Sequence, residues 1–440
     1  MSELLDSIME VPALFKILIL FAGIVVLYRL KVPLWLVLIA VTAATGLWFG
    51  ATPVEILETT AKSAVSAGTL FLCAVVVLIL GFSNLMNETG VLKRIVDAFG
   101  GLLGRSMYSV AALPALIGLL PMPGGAIFSA PMVEAACGAD GGQSPEQKSA
   151  VNYWFRHIWE YWWPLYPGVI LASYLFGISM WHMVLLHLPL TLAAVAAGYL
   201  FILRPSFRGE AARAPAGNGK PTGSLGTVLR ESASIIVVIA TIFIAGPALS
   251  AAGAGGIAAK YWPVIFGFVL GAVWLAASGK VGAGRALKTM LTKNQLSMLL
   301  LVAGVMVFRD MLVAMDAFAG AKADLETYRV PPLVVIAALP FISGIVMGLA
   351  IGFVGASFPL VLSLMPESAA GTELRFAYLA LAYSFGYMGM MLSPVHFCLI
   401  MTKDYFKADF LGIYRWLLPP SIAVISAGVL LFFLYLTIFH

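Results

Sequence analysis

Charged residues are scarce in this chain of 440 residues: Asp, Glu, Lys and Arg together make up 11% of it. Soluble globular domains carry about 25% charged and about 45–50% apolar residues, whereas 61% of this chain is hydrophobic. A soluble core of this size cannot bury so much apolar surface, which excludes the soluble fold classes. The composition therefore predicts an integral membrane protein, for which the lipid bilayer is the solvent.

Cysteine is also scarce. The chain has three cysteines, which lie far apart within apolar stretches: Cys73, Cys137 and Cys398. This spacing fits neither a disulfide framework nor a metal site, so we interpret all three as small packing residues and expect no metal and no cofactor. Clusters of His, Asp and Glu at metal-ligand spacing and a Gly-x-Ser-x-Gly motif are lacking too, which argues against an intramembrane enzyme. The formal charge of +5 is spread over short segments between apolar runs, which argues against a nucleic-acid partner.

Long apolar runs are abundant instead. Two apolar regions, 107–137 and 331–365, contain Gly and Pro near their middles, and each is compatible with two crossings or with one re-entrant hairpin. The N-terminus is acidic and lacks the basic start of a signal peptide, so we expect the first run to be a retained span. Ten further runs are long enough to span a bilayer, which takes about 20 apolar residues per helix: 12–28, 32–49, 67–87, 147–177, 180–203, 228–249, 259–279, 296–316, 374–402 and 411–438.

The distribution of Lys and Arg distinguishes the hairpin from the double crossing, because cytoplasmic segments are enriched in both residues. With two re-entrant hairpins and both termini outside the cytoplasm, most of the 26 Lys and Arg residues lie on the cytoplasmic side. If 107–137 crossed the membrane, the basic segment after Ile202 would move outside. We therefore predict two re-entrant hairpins and extracytoplasmic termini.

The polar segment 204–226 is rich in Pro, Gly and Ala and is predicted to be a flexible cytoplasmic linker. It divides the chain into two halves, 1–203 and 227–440, which share landmarks at a nearly constant offset. Pro114 corresponds to Pro340 (340 − 114 = 226), and further matches pair Ser129 with Ser357, Pro131 with Pro359 and Pro167 with Pro394. Five full spans per half is an odd number, so the second copy is inverted, as in many secondary transporters. The predicted fold is an all-α polytopic membrane protein of two inverted repeats, each with five spans and one re-entrant hairpin.

Four interruptions of the apolar helices occur at positions that the repeat relates: 121–125 with 348–355, and 164–168 with 386–394. Irregular backbone within a membrane is tolerated only where it is buried in protein or lines a wet cavity. A single break is more simply a helix kink, but four related breaks favour a binding site at the middle of the membrane. There, free N–H groups attract an anion and free carbonyl groups attract a cation.

Ionisable residues occur close to one of these breaks. Asn152, Arg156, Glu160 and Pro164 recur at every fourth position and are predicted to form one stripe on a helix. Charges inside a span are costly and usually pair or face a cavity. Arg156 and Glu160 can form an ion pair that only neutralises their charges. Alternatively, they take part in substrate binding or ion coupling, and both alternatives stay open. His157 is a candidate that titrates near physiological pH, with packing as its simpler interpretation.

Further candidates complete the predicted site. Ser393 and His396 flank one break and Tyr166 another, although a serine beside a kink equally serves to hydrogen-bond its own helix. The residues predicted to bind substrate or ion are Pro123, Gly124, Gly125, Ser129, Asn152, Arg156, His157, Glu160, Tyr166, Gly352, Gly355, Ser357, Ser393 and His396, and the predicted coupling residues are Glu160 and Asp310.

The run LLPMPGGAIFSAPMV, followed by NYWFRHIWEYWWPLYPGVILAS, resembles the bacterial and archaeal membrane family called domain of unknown function 401, and the likeness covers essentially the whole chain. That family belongs to the ion transporter superfamily, together with gluconate, citrate, dicarboxylate and arsenite transporters. The resemblance implies a scaffold and a mobile transport domain, an elevator mechanism, a homodimer and a prokaryotic inner membrane. Dicarboxylate members carry Ser-Asn-Thr at both hairpin tips. At the corresponding tips this chain has Gly124-Gly125-Ala126 and Gly355-Ala356-Ser357 instead. This departure argues against a dicarboxylate and against sodium.

Together these features predict a secondary transporter that takes up a small organic anion as an ion-coupled symporter. Arg156 and the helix N-termini at the hairpins motivate the anion, and Glu160 and His157 favour protons over sodium as the coupling ion. The alternative function is a cation/proton antiporter that uses Glu160, Asp310 and the carbonyl groups at the breaks. The expected partners are the anion, membrane lipids and a second copy of the chain.

Overall fold

The computed structural model describes residues 10–103, 107–119, 125–137, 142–207, 224–251, 256–366, 368–369 and 371–439. In these residues the regular structure is helical, without strands. The helices of the first half are α1 (Ala13–Arg29), α2 (Leu34–Trp48), α3 (Pro53–Ala64), α4 (Ala67–Glu88), α5 (Val91–Leu103), α6 (Met107–Gly118), α7 (Ala126–Cys137), α8 (Pro145–Arg156), α9 (Pro167–Leu175) and α10 (Met180–Gly198), which continues through the π-helical turn Tyr199–Leu203 to Arg204–Ser206.

The helices of the second half follow a similar order. They are α11 (Leu225–Glu231), α12 (Ala233–Ala251), α13 (Gly256–Ser278), α14 (Ala283–Met290), α15 (Lys293–Ala314), α16 (Ala317–Thr327), α17 (Pro332–Met347), α18 (Ala350–Leu364), α19 (Arg375–Met391), α20 (Phe397–Phe406) and α21 (Phe410–Ile438). Most of the predicted linker, residues 208–223, lies outside the described residues.

The described helices include four that are long and apolar enough to cross a bilayer alone: Ala67–Glu88, Met180–Ser206, Gln295–Ala314 and Phe410–Ile438. Two bent pairs of helices, α11 with α12 and α16 with α17, would raise the number to six if each pair formed one span. Other predicted spans correspond to shorter apolar helices, such as α1 with 17 residues and α2 with 15. Two more, 147–177 and 374–402, are each divided into two helices. The chain is an all-helical, multi-pass membrane protein.

Polar side chains cap the N-termini of several helices that begin near the ends of the apolar runs. Thr52 and Ser144 form capping boxes with Glu55 and Gln147 at the starts of α3 and α8. Asp409 accepts a hydrogen bond from the N–H group of the third residue of α21. Because each cap satisfies N–H groups that lack a partner within the helix, the local sequence specifies these helix starts.

Helices α17 and α19 cross at closely packed glycines. A Cβ atom on Gly344 would collide with the carbonyl oxygen of Gly386, and one on Gly389 would collide with that of Phe341. Small residues allow membrane helices to approach this closely, and van der Waals packing then holds them together in lipid. This crossing positions the break that follows α19.

Candidate functional site

The first break lies earlier in the chain than the sequence predicted. Helix α8 ends at Arg156, residues 157–166 are irregular, and α9 begins at Pro167. The predicted helical stripe through Glu160 and Pro164 is therefore wrong beyond Arg156.

Side chains from the second half of the chain stabilise this break. Tyr387 Oη donates to His157 O at 2.6 Å, and Tyr383 Oη donates to Glu160 O at 2.7 Å. His157 Nδ1 lies 2.6 Å from Tyr153 O. Buried carbonyl groups need a hydrogen-bond partner, and these side chains replace the N–H groups of a continued helix. Donors so distant in sequence leave no local signature, which is why the break was misplaced.

The second break is shorter than predicted and is stabilised in the same way. Helix α19 continues through Gly386 to Met391 and leaves only residues 392–396 irregular. Tyr153 Oη donates to Met391 O at 3.0 Å. Each break is thus held by a tyrosine from the opposite half of the chain.

A third break separates α17 from α18, and here glycine is required. Gly348 has a left-handed conformation, with a φ of 60°. A Cβ atom at this position would lie 2.9 Å from His396 N and 3.0 Å from Ser393 Oγ. Both the backbone conformation and the close approach therefore exclude a side chain. Helix α18 begins at Ala350, so the predicted interruption 348–355 is wrong beyond Leu349.

The three breaks border a partly open cavity of about 160 Å³, which has room for several water molecules or a small solute. Both halves of the chain contribute to its wall. The lining residues are Leu80, Arg156, His157, Glu160, Tyr166, Pro167, Gly168, Met298, Gly348, Leu349, Ala350, Ile351, Met390, His396, Phe397 and Cys398.

Arg156 carries the positive charge of the cavity, and only 2% of its side chain is exposed. Its Nη1 lies 3.1 Å from His157 Nε2 and 3.9 Å from Glu160 Oε1. Glycine at position 125 leaves room for the guanidinium group, because a Cβ atom there would collide with it. Arg156 and Glu160 therefore form an ion pair, as one of the two alternatives predicted, and the same two side chains face the cavity.

The first residues of three helices also border the cavity: Pro167 of α9, Ala350 of α18 and Phe397 of α20. None of these three helices has a side-chain cap, whereas α3, α4, α8, α10 and α21 each have one. Pro167 has no N–H group. The N-termini of α18 and α20 present free N–H groups, and all three N-termini present the positive end of a helix dipole. The arrangement is chemically suited to an anion.

Five of the predicted site residues share the cavity wall: Arg156, His157, Glu160, Tyr166 and His396. Tyr166 Oη also donates to Gly118 O, which ties the first break to α6. Their role in binding stays a prediction.

Other predicted site residues lie outside this wall and make contacts that hold helices together. Asn152 Nδ2 donates to Ala126 O at 3.1 Å and to Thr402 Oγ1 at 3.0 Å. Ser393 Oγ, in the second break, donates to Ile345 O of α17 at 2.6 Å. These contacts fix α8 against α7 and α20, and the second break against α17.

The serines and glycines predicted at the hairpins have structural surroundings. Ser129 Oγ and Ser357 Oγ hydrogen-bond to carbonyl groups of their own helices, which is the simpler interpretation of a serine near a kink. Gly352 and Gly355 lie inside α18 and face Met347 and Val305 rather than a break. Pro123 and Gly124 lie outside the described residues.

Asp310, the second predicted coupling residue, does not line the cavity. Its Oδ2 accepts a hydrogen bond from Ser63 Oγ at 2.6 Å, and its Oδ1 lies 3.6 Å from Arg309 Nη1. About a third of its side chain is exposed. These contacts join α15 to α3.

Cys398 lines the cavity, although the sequence indicated only a packing role. It is the second residue of α20, directly after a break. That position was the one available signal, because residues at the start of a half-helix face what the break encloses.

The comparisons with known proteins agree with a helical transporter fold. The family described as "Protein of unknown function (DUF401)" matches residues 13–212 and 265–438, whereas no curated protein matches the sequence. The crystal structure of the Alcanivorax borkumensis YdaH transporter, described as having an unusual topology, is similar with a TM-score of 0.50 and 14% identity, over 93% of this chain and 98% of that chain. At this identity the likeness concerns the fold alone. From the family match, the chain is a member of the DUF401 family of membrane proteins.

Proposed function

We propose that this protein is a secondary active transporter that moves a small, carboxylate-like organic anion through the central cavity by alternating access. The observation that carries the proposal is the convergence of the buried Arg156 and three uncapped helix N-termini on one cavity. A buried guanidinium group binds a carboxylate through two parallel hydrogen bonds, and the N-termini add unpaired N–H donors. The YdaH protein, whose fold is similar, is a transporter.

The order of the helices supports two repeats, 1–203 and 227–440, with a linker between them. Helices α4 and α15 both have 22 residues. Proline lies inside α6, α7, α17 and α18, in positions that the repeat relates. The packing is symmetric as well, since α9 contacts α18 while α20 contacts α7, and α2 contacts α15 while α13 contacts α4.

The lengths of the hairpin helices support re-entrant regions at 107–137 and 331–365. Helices α6 and α7 have 12 residues each, and α18 has 15. At 1.5 Å per residue these helices are about 18 Å and about 22 Å long, which is less than the hydrocarbon core of about 30 Å. Each pair packs together, α6 against α7 and α17 against α18.

Polar contacts between distant segments support the predicted sidedness, with both termini outside a prokaryotic inner membrane. Arg285 pairs with Glu88, and Arg94 pairs with Glu231, and all four residues belong to predicted cytoplasmic ends. On the predicted outer side, Leu14 N donates to Asp324, and Ser63 donates to Asp310. In each of these four contacts, both residues belong to helix ends that the prediction places on the same side of the membrane.

The proposal extends to the moving parts of the protein and to the coupling ion. We propose that the hairpins and broken spans form a mobile domain, that the first spans of each repeat form a scaffold, and that two copies assemble as a homodimer in an elevator mechanism. Proton coupling is favoured over sodium, because Glu160 and two histidines line the cavity.

Transport by purified protein in liposomes tests the proposal. We expect a radiolabelled panel of small carboxylates to contain at least one substrate whose uptake rises with an inward proton gradient. Arg156→Lys keeps the charge but loses the planar fork, so uptake should fall at least about tenfold, the loss expected for a hydrogen bond to a charged group. Arg285→Lys, at an exposed ion pair, is the control and should transport normally.

If no anion accumulates, or if the Arg156→Lys variant transports like the unmutated protein, the proposal is wrong. The alternative function, cation/proton antiport, is favoured by the buried carboxylate of Glu160 at the cavity. It predicts that sodium or potassium dissipates a pH gradient across the liposomes in the absence of any organic anion. It also predicts that Glu160→Gln abolishes this effect.

A further inference from the structure

Three side chains with metal-ligating atoms meet in the cavity, and one of them, Cys398, has no role in the proposed anion transport. The ligating atoms of His157, His396 and Cys398 all lie within 4.8 Å of one another, and all three residues are buried. His157 belongs to the first break, whereas His396 and Cys398 belong to the end of the second break and the start of α20. The cluster therefore forms only when the two halves of the chain are assembled.

Backbone carbonyl groups orient both imidazole rings for ligation. His157 Nδ1 lies 2.6 Å from Tyr153 O, and His396 Nδ1 lies 3.2 Å from Met390 O. His396 Nδ1 also lies 3.0 Å from Tyr153 Oη, whose one hydrogen is donated to Met391 O. All these oxygens therefore accept, so Nδ1 carries the proton in each ring and Nε2 keeps its electron pair. Metal-ligating histidines are usually held by such a hydrogen bond from the opposite nitrogen.

The thiol of Cys398 supplies a soft ligand. Cys398 is the second residue of α20, whose N-terminus has no side-chain cap. A helix N-terminus stabilises a thiolate, which is the form that binds metals. Two imidazoles and a thiolate suit soft ions such as Cu(I) and related d¹⁰ ions.

The surrounding charges select for an ion of charge +1. Arg156 and Glu160 form an ion pair beside the cluster, with Nη1 and Oε1 3.9 Å apart. A thiolate and a monovalent cation add no net charge, whereas a divalent cation would leave an uncompensated charge in a buried site. Arg156 Nη1 donates to His157 Nε2 at 3.1 Å, and the ion replaces this hydrogen bond while Glu160 remains the partner of the guanidinium group.

We propose that His157 Nε2, His396 Nε2 and Cys398 Sγ form a binding site for a soft monovalent metal cation of the Cu(I) and Ag(I) class. Bonds of about 2.0–2.3 Å place the ligand atoms of a three-coordinate ion about 3.5–3.8 Å apart, so side-chain rotation must close the largest separation by about 1 Å. Binding forms two metal–nitrogen bonds and one metal–sulfur bond, and the thiol proton passes to the solution. The bound ion joins the two breaks.

Silver ions test this site without oxidation chemistry and without any transport assay. The protein is purified with Cys73→Ser and Cys137→Ser, so that Cys398 is its one thiol, and is titrated with Ag(I) by calorimetry. We expect one ion per chain, release of one proton, and affinity for Zn(II) at least tenfold lower. His396→Gln and Cys398→Ser should each weaken Ag(I) binding at least tenfold. His187→Gln is the matched control, because His187 is also buried with Nδ1 near a backbone carbonyl but lies outside the cluster.

A second measurement uses protein in which His157, His396 and Cys398 are unchanged, so that its result does not depend on whether a variant folds. Alkylation of Cys398, followed by mass spectrometry, should slow at least tenfold when one equivalent of Ag(I) is present. The proposal is overturned if Ag(I) does not bind, if it binds equally well after Cys398→Ser in folded protein, or if it leaves alkylation unchanged. Since binding is measured directly, these outcomes do not depend on whether the protein transports an anion.

Discussion

At the scale of single residues, the breaks depend on hydroxyl groups that replace backbone donors. Tyr387 is 1% exposed, and its hydroxyl donates to His157 O. Tyr153, which is fully buried, donates to Met391 O in the other break. A carbonyl group that lacks a donor inside the membrane cannot form a hydrogen bond with water instead. These tyrosines therefore contribute to stability and also determine the shape of the cavity.

Substitution of Tyr387 by phenylalanine tests this role. Loss of the hydroxyl leaves a buried carbonyl group without its donor, so we expect the free energy of unfolding to fall by about 1–3 kcal/mol. The midpoint of thermal unfolding in detergent measures the effect. Tyr108→Phe is the control, because Tyr108 is 62% exposed and its variant should unfold like the unmutated protein. Equal midpoints for both variants would contradict the role of Tyr387.

At the scale of helices, close crossings of small residues determine where the breaks lie. Gly389 of α19 contacts the backbone of α17 at Phe341, and Gly118 of α6 contacts the backbone of α8 at Arg156. Backbone-to-backbone contacts do not yield to side-chain rotation, so a methyl group at either glycine must move a whole helix.

The variant Gly389→Ala should therefore be destabilised by about 1–3 kcal/mol, the usual cost of overpacking, and should transport more slowly because α19 leads into the second break. Gly23→Ala is matched to it as a glycine within an apolar helix, but a Cβ atom at Gly23 would have no neighbouring atom within 4 Å. We expect Gly23→Ala to be neutral or slightly stabilising. Thermal unfolding in detergent distinguishes the two, and a Gly389→Ala variant as stable as Gly23→Ala would refute the crossing as a constraint.

At the scale of the whole molecule, the proposed topology places equivalent ends of the two halves on opposite sides of the membrane. Lys62 lies at the predicted outer surface and Arg285 at the predicted cytoplasmic surface, and their side chains are 75% and 73% exposed. This pair is suited to an accessibility test, because equal exposure removes differences in reactivity that arise from burial.

Single cysteines at these two positions, in a background without the three native cysteines, should differ in labelling. A membrane-impermeant maleimide added to intact cells should modify Lys62→Cys but should modify Arg285→Cys only after permeabilisation. Labelling of both positions in intact cells would refute the inverted arrangement, and labelling of Arg285→Cys alone would refute the predicted extracytoplasmic termini.

The amino-acid sequence by itself determined the class of the protein and pointed to several residues that line its cavity. Scarce charge and long apolar runs indicate a membrane protein, because hydropathy acts residue by residue. The repeated prolines predicted paired halves, and an arginine inside an apolar run predicted a binding site because such a charge is costly in lipid.

The tertiary structure alone decided where the helices stop and which side chains share the cavity. Helix α8 ends at Arg156 because hydroxyl groups more than two hundred residues away take the place of backbone donors, and no local pattern encodes such partners. Cys398 and His157 are likewise far apart in the chain and meet only through the packing of the two halves. Sequence patterns report what each segment prefers, whereas the meeting of segments is a property of the packed molecule.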